Sequence, residues 1–527
     1  MKSFYRFYQY VLIFLVIAPI VFLCAQSILT NSLSDSETWR FILDHMLVGL
    51  VKNTALLMLA TVFLSIILGV SQASLICLTN IPAKKILHIL FILPLIFPLY
   101  VLAFVYVGSF TYSGSIPVFF RSFFNFDLTA LFAIKSTMGV AMVFSLALAP
   151  YVYLFLRAAF LRIDEKLIFS ARSLGQRPFK ILFGLLMPQI RPWIYASAIL
   201  VALEVLCDFG GVSVFNYDTF STAIYHSWIG LFSLNTAVKL SLIPGLFALL
   251  LYFANNFFYR TYKNETKLSR SFVLFELTFI KKTILLMGSL SYCFFSVFFP
   301  VGQIFIWASS ALSLELNLDY LLIIAHTLLI SLGAAVFIAL LSLLLVNLQR
   351  NYSSQQDRSI TIFVKIGYAL PGSIIAIALM SVFSLLNINF FATFAFIALL
   401  FAYLVRFFSV AFEIQSKAYD LISKKYDWTS YSLGKAKFKT FYKVHLPILL
   451  PTLISSMIML LLEIMKEMPM TLMLRPFGVN TLATKIYELT SEGEWERASI
   501  SAALLILLGA LTIFLSEYYQ TKKNEGL

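Results

Sequence analysis

Long apolar runs separated by short charged breaks make up this chain. The runs begin near Tyr10, Leu50, Ile86, Ala130, Trp193 and Val238, and again near Ile284, Leu321, Ile360, Phe391, Leu449 and Ser499. A helix rises about 1.5 Å per residue, so roughly 20 apolar residues cross a hydrocarbon core about 30 Å thick. The pattern predicts an all-α polytopic membrane protein of about twelve transmembrane helices.

The breaks give the orientation. Lys84 and Lys85, the group from Arg157 through Arg162, Lys166, Arg172 and Arg177 to Lys180, and then Arg260, Lys263, Lys267 and Arg270 mark alternate breaks in the first part. Arg350 and Arg358, a lysine cluster from Lys417 through Lys424, Lys425, Lys435 and Lys437 to Lys443, and Lys522 with Lys523 do so in the second. The positive-inside rule assigns these breaks to the cytoplasm. Lys2 and Arg6 precede the first run and no clear small-x-small cleavage site follows it, so an uncleaved first span with a cytoplasmic N-terminus is expected.

Each half therefore holds six spans, and both halves share one orientation: two parallel six-helix repeats related by an axis along the membrane normal. The hydrophilic segment TYKNETKLSR, Thr261–Arg270, is the expected boundary. It divides the chain into a first transmembrane half at 1–260, a cytoplasmic linker at 261–282 and a second transmembrane half at 283–527.

The duplication is written most clearly in one charged break. An offset of 259 carries Ser173, Leu174, Gly175, Phe179, Lys180, Pro188 and Pro192 onto Ser432, Leu433, Gly434, Phe438, Lys439, Pro447 and Pro451, each the same residue type. Asn53-Thr54 corresponds to His326-Thr327, and Pro98 to Pro371, at an offset of 273. A proline at the end of an apolar run breaks the helix where lipid cannot satisfy the backbone, so these breaks should face protein or a water-filled path. Within the repeated loop, a short helix is expected to end at Gly175 or Gly434 in the left-handed conformation. A second short helix follows, and Pro188 or Pro447 is expected to separate this knob from the next span. One such loop reads equally well as an interfacial anchor; two at equivalent places favour a docking surface for a two-fold partner.

Composition narrows the class further. Of 527 residues, 60% are hydrophobic and only 12% charged, which excludes a soluble globular domain. The net charge of +14 lies in the breaks and gives no reason to expect nucleic acid. Cys24, Cys77, Cys207 and Cys293 are dispersed packing residues. His45, His88, His226, His326 and His445 are scattered without metal-site spacing, and Met465, Met468, Met470 and Met473 read as packing before they read as a soft-metal ladder.

Four acids stand inside apolar surroundings. Glu204 and Asp208 are four residues apart, hence on one helix face, and Glu463 and Glu467 repeat them at the offset of 259. Glu204 lies about 15 residues into its span, roughly 22 Å along the helix, in the outer half of the membrane. Intramembrane acids usually line a pathway, and hard oxygen donors suit a small, highly charged cation held transiently. The competing reading is structural: pairing with Lys466, or capping a helix broken at Pro469. Lys466 stands where the first half has Cys207, so the repeat is not symmetric in charge. Beyond the acids, TFSTAIY (Thr219–Tyr225) recurs as TLATKIY (Thr481–Tyr487). Tyr225 and Tyr487 are possible outer-mouth ligands, or interfacial anchors.

The repeated loop resembles the EAA loop of ATP-binding-cassette importer permeases, in which a Gly precedes a Pro by thirteen residues, as Gly175 precedes Pro188 and Gly434 precedes Pro447. Phe169 and Trp428 replace the Glu frequent at its first position. Leu203–Trp228 and Leu462–Leu489 resemble segments of ferric-iron importer permeases with two fused halves, and the likeness runs over nearly the whole chain. The resemblance implies the ABC importer permease fold in a bacterial inner membrane. It also implies coupling helices at the twin loops, two ATPase subunits that carry the ATP and Mg, and a periplasmic ferric-iron-binding protein as partner. The chain has no G-x-x-x-x-G-K-[ST] loop; it is expected to bind no cofactor and not to be the enzyme itself. Thiamine, polyamine, sulfate or phosphonate are alternative cargoes within the same architecture. An ion-coupled carrier or a membrane-embedded enzyme is the alternative outside it.

Overall fold

The computed structural model describes residues 2–29, 33–127, 133–260, 273–315, 317–352, 361–385 and 394–525. The expected run starts at Ala130, Ile360 and Phe391, the boundary segment Thr261–Arg270 and Arg358 lie outside the described residues.

Eleven helices among the described residues are long and apolar enough to cross a membrane. They are α1 Tyr5–Ile28, α2 Leu47–Leu78, α3 Leu99–Phe124, α4 Thr137–Phe160, α5 Pro178–Cys207, α6 Leu234–Asn255, α7 Phe279–Leu312, α8 Asp319–Tyr352, α10 Ala395–Asp420, α11 Lys437–Lys466 and α12 Trp495–Thr512; the shorter apolar helix Gly372–Ser384 takes the place of α9. The chain is thus an all-α polytopic protein of about twelve helices.

The prolines act differently from expectation at one pair of positions and as expected at another. Pro188 and Pro447 do not separate the knobs from the spans: α5 and α11 run through them without interruption. Each proline instead follows a π-helical turn, Leu182–Leu186 or Phe441–His445. A proline lacks the N–H and crowds the carbonyl four residues back. One wider turn before it, closed by Met187 N–H on Leu182 O and Leu446 N–H on Phe441 O, relieves both problems without ending the helix. Pro98 does break its segment: a 3-10 turn at Leu93–Ile96 ends before it, and α3 starts after it. Pro371 likewise follows a 3-10 stretch, Thr361–Ala369.

The two large hydrophobic cores among the described residues are not the two halves of the sequence. One gathers α2 to α5 with residues of α7 and α12, such as Tyr292, Ile304 and Leu505. The other gathers α8 to α11 with α1 and part of α6, such as Leu12, Val16 and Val238. First spans thus cross over to the opposite half. Tyr8 of α1 donates its hydroxyl to Leu341 O at 2.9 Å, while Tyr106 of α3 donates to Phe295 O of α7 at 2.6 Å. Lipid is as apolar as a side chain, so close approach rather than water exclusion holds such helices together. α2 meets α4 at Gly69, where an added Cβ would lie 2.5 Å from Val152 Cβ.

Candidate functional site

α5 and α11 both stop one residue before an acid. Asp208 (φ −73°, ψ 129°) and Glu467 (φ −71°, ψ 112°) are already extended, and each is followed by a short helix, Gly210–Val214 or Pro469–Leu474. The reading of Glu204 with Asp208, and Glu463 with Glu467, as pairs on one helix face is therefore corrected: only the first acid of each pair is helical. The cause is local competition for backbone donors. Asp208 Oδ2 accepts the Val212 N–H at 3.0 Å, and Glu467 Oε1 accepts the Met470 N–H at 3.3 Å, so each carboxylate caps the helix that follows it. Gly211 and Gly210 permit the turn, since a Cβ on Gly211 would lie 2.8 Å from Asp208 Oδ2 and one on Gly210 would lie 2.2 Å from Met468 Cε.

All four acids nevertheless line one cavity, of about 120 Å³. Sites that enclose drug-sized ligands run to roughly 300–1,000 Å³, so this one suits an ion with a few waters and not a bulky solute. Two cations that face the acids come from the second half alone. Arg406 of α10 pairs with Glu467 Oε2 at 3.5 Å and donates to Leu370 O at 3.2 Å. Lys466 donates to Leu95 O at 2.6 Å rather than to a carboxylate. Both carbonyls belong to the proline-broken segments before Pro98 and Pro371, where backbone acceptors lack their helical donors. The equivalents of Arg406 and Lys466 at the offset of 259 are Ala147 and Cys207, which also line the cavity. Among the described residues no three His, Cys, Asp or Glu side chains form a group able to hold a metal.

Sequence reasoning missed Arg406 and Tyr368. Arg406 carried a usable signal, a lone cation inside the apolar run FAYLVRFFSV. Tyr368, whose hydroxyl donates to Glu204 Oε1 at 3.2 Å, carried none.

Beyond the cavity, Phe209 packs on Tyr225 and Tyr487 with ring centroids 4.7 and 5.5 Å away, and the two tyrosines meet edge to face at 6.0 Å. Burial, and next the neighbouring Tyr487, push the Tyr225 phenol well above its ordinary range, so it is protonated at neutral pH. The repeat around them has a structural cause. Thr219 with Thr222, and Thr481 with Thr484, form reciprocal capping boxes. The next backbone N–H, of Phe220 or Leu482, donates to Thr54 Oγ1 at 3.4 Å or Thr327 Oγ1 at 2.9 Å.

At the other end of α5 and α11 stand the two knobs. Helices Glu165–Ser173 and Lys425–Ser432 close at Gly175 (φ +71°) and Gly434 (φ +68°). Gln176 N–H reaches Ala171 O at 3.1 Å and Lys435 N–H reaches Ser430 O at 3.1 Å, the bond that a left-handed residue at the helix end makes possible. Ser173 and Ser432 turn back onto Phe169 O and Trp428 O, both at 3.0 Å. Leu174, Phe179, Leu433 and Phe438 are 78%, 68%, 70% and 73% exposed, and Lys180 and Lys439 are exposed beside them. Each knob therefore presents apolar side chains on a cationic surface.

The support beneath the knobs differs. Under the second, Arg350 binds Asp427 Oδ2 at 2.7 Å and the carbonyls of Tyr419 and Ile422 at 2.7 and 2.9 Å, while His445 Nε2 lies 2.6 Å from Asp427 Oδ1. The corresponding residues of the first half are Cys77, Ile168 and Leu186, all buried in the apolar core.

Residues 344–524 match the family of the binding-protein-dependent transport system inner membrane component. The Fe(3+)-transport system permease protein FbpB 2 of Haemophilus influenzae is 27% identical over 480 residues, covering 90% of each chain. A permease domain of this family thus occupies most of the second half of the chain. The matched stretch contains the second knob, Glu463, Glu467 and Arg406, and the permease repeats the knob and the acids in its first half. With its membrane-crossing helices, the permease is a multi-pass protein of the inner membrane.

Proposed function

We propose that the permease is the transmembrane subunit of an ATP-driven importer that passes ferric iron from a periplasmic binding protein to the cytoplasm. The observation that carries this reading is the shared cavity of Glu204, Asp208, Glu463 and Glu467, in a chain similar over 90% of its length to a relative named for Fe(3+) transport. Ferric iron is a hard cation that oxygen donors attract. Arg406 and Lys466 offset part of the acidic charge, which favours passage over tight storage.

Each exposed knob seats one ATPase subunit, where ATP and Mg act; this chain holds neither. Gly175 and Gly434 set the knob shape, and Leu174, Phe179, Leu433 and Phe438 supply apolar contact. Because α5 and α11 run unbroken from knob to cavity, a displacement at the ATPase is delivered as rigid-body motion to the acids. The two halves then rock around the cavity, opening it to one side at a time. Asp208 and Glu467 shape its wall by capping; Glu204 and Glu463 present carboxylates to the cargo. Tyr225, Tyr487 and Phe209 form an apolar outer closure, with the phenols as first contacts for the cargo.

The test is uptake of radiolabelled ferric iron in cells carrying the whole system, comparing wild type with Glu204→Gln plus Glu463→Gln at matched membrane abundance. Uptake is expected to fall at least tenfold while ATPase assembly is kept. Unchanged uptake returns the acids to a structural role. If wild type carries thiamine or a polyamine and no iron, the cargo assignment fails.

A further inference from the structure

We infer that two tyrosines, Tyr151 and Tyr368, complete with Glu204 and Glu463 an all-oxygen cargo site, while Asp208 and Glu467 take no part in ligation. The inference rests on the ferric reading and names the atoms that would act in it.

The four groups converge on the same cavity. Tyr368 already bonds Glu204, and both phenols stand within electrostatic reach of both Glu204 and Glu463. Asp208 and Glu467 are differently placed. Each caps a helix, and the second oxygen of Glu467 faces Arg406 at 3.5 Å. Turning either acid toward a cation would uncap the segment that forms the cavity wall. Two carboxylates alone offer too few donors for a small trivalent ion, and the absence of any His, Cys, Asp or Glu group of three among the described residues leaves the phenols to complete the set.

A packing role does not explain these tyrosines. At the repeat offsets of 259 and 273 their counterparts are Val410 and Leu95, so the fold builds the same positions with aliphatic side chains. Each half supplies one carboxylate and one tyrosine, at non-equivalent places. A hydroxyl in an apolar wall is costly without a polar partner. Tyr368 finds its partner in Glu204, and in transit both phenols meet the cargo.

Ligation is an exchange of bonds with no change of oxidation state. Ferric oxygen bonds to water are replaced by bonds to two carboxylates and two phenolates. The phenolic protons leave to water, and return when the ion moves on. Lys466, which shares the cavity, offsets the residual negative charge and keeps the site weak enough to empty.

The experiment uses the permease with its ATPase subunits in lipid nanodiscs, without the binding protein, and ferric citrate as probe. Phenolate bound to ferric iron gives a visible charge-transfer band. The band is expected in wild type and in Asp208→Asn, about halved in Tyr151→Phe or Tyr368→Phe, and absent in the double variant. ATP-dependent uptake of radiolabelled iron into cells is expected to fall at least tenfold in the double variant at matched abundance. A band that persists in the double variant, a wild type without a band, or uptake unaffected by both Phe substitutions overturns the inference. Iron uptake in wild type that the Phe variants share leaves the ferric reading standing and removes only the tyrosines. No iron uptake in wild type removes both.

Discussion

Arg406 is the test of how the permease holds charge inside its helices. Its side chain is 12% exposed and that of Glu467 is 7% exposed, with 3.5 Å between Nε and Oε2. Replacing Arg406 by Met leaves Glu467 with the Met470 N–H at Oε1 and no cation at Oε2, and strips Leu370 O of its donor. Breaking one side of a buried ion pair costs about 3–5 kcal/mol. The cavity admits some water, which places the expected loss near the lower end, about 3 kcal/mol. Combining Arg406→Met with Glu467→Gln removes both charges while the amide oxygen still caps Met470, so the pair should recover about 2 kcal/mol relative to the sum of the single changes. The measurement is equilibrium unfolding of the purified permease in mixed micelles with rising dodecyl sulfate, followed by fluorescence of its 6 tryptophans. A single variant within about 1 kcal/mol of wild type, or a double variant as unstable as the summed singles, would show that the cavity hydrates these charges and that the pair holds nothing.

Three further outcomes follow from named contacts. Gly175→Val plus Gly434→Val forces β-branched residues to positive φ in open space, costing about 1–2 kcal/mol at each site; co-purification of the ATPase should fall while the helical signal of the membrane region is kept, and unchanged co-purification removes the glycine corner from the argument. Asp427→Ile alone strands Arg350 and should destabilise the permease by about 3 kcal/mol, whereas Arg350→Met, Asp427→Ile and His445→Leu together copy the apolar first half and should lose less than the single change; the reverse order in thermal unfolding sinks the comparison. Thr327→Val orphans the Leu482 N–H and should cost about 1–2 kcal/mol, more than Thr54→Val, whose bond to Phe220 is longer at 3.4 Å against 2.9 Å; equal losses by the same unfolding assay would contradict the ranking.

Apolar run length and charged breaks were enough to read the class, the number of helices and the repeat, because lipid permits few ways to satisfy a backbone. The knobs were legible too: a glycine that must take positive φ and a proline thirteen residues on are local constraints, visible wherever they occur. The offset of 259 also located the acids. It could not say that Asp208 and Glu467 leave the helix, since that depends on which backbone N–H each carboxylate finds. Nor could it foresee that Pro188 and Pro447 are absorbed by a π turn.

What only the tertiary structure decided is which residues meet. Tyr368 reaches Glu204 across 164 positions, and Lys466 reaches Leu95 across 371. Such pairs leave no periodic trace, because a contact between helices depends on their rotation and crossing and not on spacing along either one. The crossing of α1 and α7 into opposite cores is of the same kind. Apolar surface has no preferred apolar partner in lipid, so hydropathy places a span in the membrane while shape alone selects its neighbour.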